Sequence, residues 1–74
     1  MNNIEQLKQN LITVGIEKIT LRQALDNDPN NEALKDSWYI ACYRENQAFL
    51  ELQEATSTME TFEFYNENVI KHFI

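Results

Sequence analysis

Asp26-Asn27-Asp28-Pro29-Asn30-Asn31 is the stretch that decides how this chain folds. Every residue in it is a turn former, and it holds the only proline. Asn and Asp side chains hydrogen-bond to nearby backbone, and proline cannot continue a helix. The chain is therefore expected to stop and reverse here.

On either side lies a long helical pattern. Upstream, Ile4, Leu7, Leu11, Val14, Lys18, Leu21 and Leu25 recur at alternating spacings of three and four. Downstream, Leu34, Trp38, Ala41, Glu45, Ala48, Leu52 and Ala55 do the same. Such spacing puts each series on one face of a helix. Asn2 or Asn3 is placed to cap the first helix, and Asn30 or Asn31 the second, with Glu32 in its first turn. Folding at Pro29 zips the two series into an antiparallel hairpin, about 3–26 against 31–56. Leu11 then meets Ala48, Leu7 meets Leu52, and Leu21 meets Trp38. The polar intruders Lys18 and Glu45 fall in adjacent layers with opposite charge, so they are expected to pair across the seam or reach its edge.

Each helix carries a second apolar stripe: Ile12, Ile16 and Ile19 on the first, Tyr39, Tyr43 and Leu50 on the second. A hairpin alone cannot bury these. Ser57 and Glu60 form an S-x-x-E capping box, which opens a third helix of about 58–73. Its residues Met59, Phe62, Tyr65, Val69, Ile70 and Phe73 share a face. Folded back parallel to the first helix, that face is expected to cover Ile12, Ile16, Tyr43 and Leu50, giving an all-α three-helix bundle over residues 1–74. The alternative is two long helices. The second heptad runs on without a skip through Met59, Phe62, Asn66, Val69 and Phe73, so the second helix could continue to 73 and dimerise through its overhang. Thr56-Ser57-Thr58, mediocre helix formers and good caps, favour the break.

The string Asp28-Pro29-Asn30-Asn31-Glu32-Ala33-Leu34 resembles the connector between tetratricopeptide repeats. The resemblance spans those seven residues alone. No second copy of a period of about 34 residues exists, so it implies a helix-turn-helix connector and no function.

Composition agrees with a helical reading. One glycine and one proline in 74 residues are too few for the many turns of an all-β chain. A chain this short has a thin core, which self-association would reinforce. The net charge of −6 disfavours direct binding to nucleic acid or an anionic membrane, whose phosphates would repel it. A basic protein surface is the natural partner. No secretory leader or membrane-length apolar run is visible, and the one cysteine suits a reducing compartment, so a cytoplasmic setting is expected. Abundant Asn and Ile suggest an AT-rich coding genome, as in many bacteria and their phages.

Nothing in the sequence assembles a catalytic or metal centre. His72 and Cys42 are about 30 residues apart, whereas zinc sites need three or four clustered ligands. Cys42 has only Arg44 as a basic neighbour, and Ser37 and Ser57 have no histidine placed to activate them. No enzyme activity and no cofactor are expected.

Charge and aromatics say more. From Glu45 to Ile70 there are six acids and no base. Glu60, Glu63 and Glu67 form one helical stripe which, with Glu51 and Glu54, makes a candidate acidic contact face. Trp38, Tyr39, Tyr43, Ile19 and Phe64 form a candidate aromatic and apolar patch. Together they suit a small helical regulator that docks on a protein, expected to be a homodimer. A phage- or plasmid-encoded inhibitor of a host factor fits this size and acidity. The alternatives are a structural coiled-coil assembly unit, and a nucleic-acid mimic whose carboxylates stand in for phosphates.

Overall fold

In a computed structural model covering residues 3–74, the chain forms three α-helices and a terminal 3₁₀ turn. These are α1 (Ile4–Asn27), α2 (Glu32–Ala55), α3 (Thr58–Asn68) and the turn Ile70–Phe73. The Asn3 side chain accepts a hydrogen bond from the Glu5 N–H at 2.9 Å and caps α1; Asn2, the other candidate, lies outside the described residues. The Asn31 side chain accepts from the Leu34 N–H at 3.1 Å and caps α2. Between them Asp28 closes the reversal. Its N–H donates to the Leu25 carbonyl and its own carbonyl accepts from the Asn31 N–H, each at 3.1 Å. Asp28 precedes Pro29 and has left helical geometry (φ −148°, ψ 67°), as the proline ring requires.

The hairpin closes on the expected seam. Leu7, Leu11, Ala48 and Leu52 form its buried cluster, flanked by half-buried Val14, Phe49, Phe64 and Tyr65. Small alanines on α2 let the α1 leucines approach closely. Leu25 and Ala41 make a lesser buried spot nearer the turn.

The second helix does break. Thr56 and Ser57 lie between α2 and α3, and the Ser57 hydroxyl accepts from the Glu60 N–H at 3.1 Å, so the capping serine works as the motif implies. The overhanging long helix is thereby replaced by a folded-back α3. It runs parallel to α1 and antiparallel to α2. Phe64 lies by Lys8 and Val69 by Gly15, while Thr61 meets Thr56 and Tyr65 meets Glu45.

Two expectations about α3 need correction. It does not stay α-helical to 73. The Asn68 side-chain amide donates to the Phe64 carbonyl at 2.9 Å, α geometry ends there, and Ile70–Phe73 tightens into a 3₁₀ turn. The inward face is also rotated. Thr61, Phe64, Tyr65 and Val69 point in, whereas Met59 and Phe62 are exposed. Thr61 tolerates full burial because its hydroxyl donates to the Ser57 carbonyl at 2.7 Å.

Gly15 explains where α3 settles. A Cβ built on it would stand 2.8 Å and 3.0 Å from the two Val69 methyls and 3.4 Å from the Tyr65 ring. The missing side chain is a notch in α1 that Val69 fills completely, being 0% exposed. Glycine inside a helix costs about 1 kcal/mol relative to alanine. Here that cost is offset by close helix packing.

Candidate functional site

Because α3 packs toward Gly15, Phe49 and Glu45, it leaves the outward face of α2 bare. Tyr39 and Tyr43 are each 65% exposed, Ile40 54% and Leu50 42%. Their spacings of one, three and seven keep them on a continuous stripe. The expectation that α3 covers Tyr43 and Leu50 is overturned, for the geometric reason just given. Ile40, absent from the sequence-based patch, belongs to this stripe. Its signal was an isoleucine off the seam.

Trp38 and Ile19, nearer the turn, are half-buried. The Trp38 ring lies 5.1 Å from the Arg22 guanidinium and 5.3 Å from the Tyr39 ring, inclined at 51°. Asp26 holds Arg22 there through a 3.2 Å ion pair one helical turn on. A cation over an indole face is a favourable contact of about 0.5–1 kcal/mol in exposed settings. Phe64 stands apart from this group. It packs against the core cluster at the opposite end of the hairpin, with the Lys8 ammonium 5.5 Å from its ring centre. The structure thus brings together Trp38, Tyr39 and Tyr43 along α2, and turns Phe64 inward.

The acidic candidates Glu51, Glu54, Glu60, Glu63 and Glu67 are all exposed. Among the described residues, only Glu67 has a basic neighbour, Lys71, whose ammonium reaches both of its oxygens at 3.0 Å. On α3 the free carboxylates Glu60 and Glu63 alternate with exposed Met59 and Phe62, so charge and apolar area are interleaved.

The charged group with the firmest geometry is structural. Glu45 accepts from the Lys18 ammonium at Oε1 and from the Tyr65 hydroxyl at Oε2, both at 2.8 Å. One carboxylate therefore joins all three helices. Burial, and then the hydrogen bond to Glu45, push the Tyr65 phenol well above its usual range. The three groups border an open cleft of about 440 Å³ shared with Cys42, Asn46, Phe49 and Phe62. Both Glu45 oxygens are engaged, so this carboxylate is a poor general base. Among the described residues no three His, Cys, Asp or Glu side chains come together as a metal site, and no helix is long and apolar enough to cross a membrane.

The chain matches no family model, no curated protein and no solved structure.

Proposed function

We propose that this protein is a small binding protein, a regulator that acts by occupying a surface of another protein rather than by catalysis. The observation that carries this reading is the bare stripe on α2. Tyr39, Ile40, Tyr43 and Leu50 lie exposed on one helix face in a chain of only 74 residues. Contiguous apolar area of this kind marks interaction sites in soluble proteins, and tyrosine is enriched among the residues that dominate binding energy.

Charge supplies the partner's chemistry. The net charge of −6 and the unpaired Glu51, Glu54, Glu60 and Glu63 favour a partner whose contact surface is basic. The stripe would provide affinity and the carboxylates would steer the approach. An inhibitor of a host protein, encoded on a phage or plasmid, is one setting in which such a molecule acts. Nucleic-acid mimicry has less support, since Lys71 neutralises Glu67 in the stripe Glu60-Glu63-Glu67.

The test is quantitative capture from a lysate of the source, comparing wild type with Tyr39→Ala/Tyr43→Ala and with Glu60→Gln/Glu63→Gln. The tyrosine pair should lose most of the captured partner while circular dichroism stays unchanged. The glutamine pair should weaken capture at low salt and resemble wild type at high salt. Capture undiminished by the tyrosine substitutions would remove α2 from the mechanism.

A further inference from the structure

The heptad of α2 does not end where α2 ends. Continued in phase past Ala55 it reaches Met59, Phe62, Asn66, Val69 and Phe73. Met59 and Phe62, the first two positions after the break, are 72% and 53% exposed in the folded-back form. Met59 has no need to hold the seam's register there, and Phe62 makes one edge-on contact, to Phe49 with 4.9 Å between ring centres. Only Thr56 and Ser57 separate the two helices. The docked arm is also thinly held. Thr61 and Val69 are its only buried side chains, against Leu7, Leu11, Leu25, Ala41, Ala48 and Leu52 in the seam.

From these observations we propose that α3 is an exchangeable arm, and that its alternative partner is a second copy of this chain. In the exchanged state the Thr56–Ser57 joint is helical and α2 and α3 form one continuous rod. The arm then lies in the second copy's groove, with Val69 in that copy's Gly15 notch and Tyr65 on its Glu45. The topology permits this. In the folded-back form α3 runs antiparallel to α2, and a two-fold axis at the joint sets the second copy's α2 antiparallel to the rod. The arm's contacts with α1 and with the body of α2 are therefore kept, the edge-on contact of Phe62 with Phe49 included, while the Thr56–Thr61 hydroxyl contact at the joint is given up. The gain is at the joint, where Met59 and Phe62 of the two copies meet and leave water. Exchange of an identical element is an inexpensive route to a dimer, and a short connector invites it. Two further costs hold it in check. The Ser57 cap on Glu60 is lost, and Glu60 and Glu63 of both copies approach one another. The exchanged dimer is therefore favoured by high protein concentration and by salt.

The decisive variant is Thr58→Pro. Thr58 is the first residue of α3, where proline is well tolerated, and the preceding Ser57 is already extended (φ −154°, ψ 164°). The folded-back form should survive, but a proline at 58 breaks a continuous rod and should lower the dimerisation constant roughly a hundredfold or more. Light scattering on the full chain, from micromolar to millimolar and in high salt, should show wild type acquiring a dimer while Thr58→Pro stays monomeric with unchanged circular dichroism. A second measurement guards against misfolding of that variant. In a Cys42→Ser background carrying Gly15→Cys and Val69→Cys, oxidation of the dimer fraction should link two chains, and oxidation of the monomer should link one chain to itself. Wild type that stays monomeric throughout, a Thr58→Pro protein that dimerises equally well, or a dimer containing only intrachain disulfides would each overturn the proposal.

Discussion

The two halves of the hairpin share one heptad and end in different environments. Away from the turn, Leu7, Leu11, Ala48 and Leu52 are sealed by α3. Toward the turn, Leu25 and Ala41 are buried by the hairpin itself, but Leu21, Leu34 and Trp38 in the same seam stay half-buried, because α3 has only 11 residues and spans about 16 Å of a hairpin about 36 Å long. There the Trp38 ring is shielded by the Arg22 side chain instead of a helix. Seam position decides which residues meet, whereas burial of a whole run of them, as at Leu7, Leu11, Ala48 and Leu52, takes a third layer above.

The largest effect expected from that contrast is at Leu11. Leu11→Ala should lower the unfolding free energy in chemical denaturation by about 2–5 kcal/mol, the range for a fully buried leucine. Leu21→Ala, in the same seam but half-exposed, should lose roughly 1–2 kcal/mol. Equal losses would mean that α3 adds nothing to the sealed half.

Glu45 tests the polar link between the layers. Glu45→Gln removes the counter-charge from Lys18 and weakens the acceptor of the Tyr65 hydroxyl, at a cost of about 1–3 kcal/mol. Adding Lys18→Met should recover part of that loss, and a double-mutant cycle would measure the coupling. Simple additivity would show that the 2.8 Å contact between Lys18 and Glu45 carries no net energy.

Gly15→Ala sharpens the comparison further, because two effects oppose each other. Helix propensity improves by about 1 kcal/mol, while the new methyl collides with Val69, whose branched side chain cannot swing aside. A net loss of about 1–2 kcal/mol is expected. Gly15→Ala/Val69→Ala should recover much of it. A stabilised single variant would show that the notch is not what seats α3.

The smallest effect is alkaline. The Tyr65 pKa is raised on folding, so the stability linked to it is fully present below the unfolded phenol's pKa of about 10 and is lost as pH rises above that value. Thermal melts from about pH 8 to about pH 11 should fall more steeply for wild type than for Tyr65→Phe. Parallel slopes would place Tyr65 in water.

Much of the architecture was legible in the sequence. The two heptads, the Pro29 corner and the Ser57 cap follow from local rules about spacing and turn chemistry; the same rules narrowed the other caps to Asn2 or Asn3 and Asn30 or Asn31, and Lys18 and Glu45 to a pair or to the seam's edge, and the fold chose Asn31 and the pair. The rotation of α3 did not. Met59 and Phe62 look more suited to burial than Thr61, and Thr61 wins only because a carbonyl four residues back satisfies its hydroxyl. Gly15 was equally silent, since propensity registers a mid-helix glycine as a cost and says nothing of the valine that will fill it. Of the candidate contact residues, Tyr39 and the glutamates were readable as surface features, whereas Tyr43 was expected beneath α3 and stands exposed. Phe64 was misplaced because its burial depends on that same unforeseen rotation.

The lone tryptophan stands under Arg22 near the turn, and its indole emission belongs to that half of the molecule. Phe49 and Tyr65, edge to face at 6.2 Å, belong to the other. Indole fluorescence should therefore be nearly blind to detachment of the arm, while near-ultraviolet tyrosine dichroism should register it. The molecule carries its own pair of optical reporters, and separated melting curves from the two would reveal a partly opened species that either signal alone would miss.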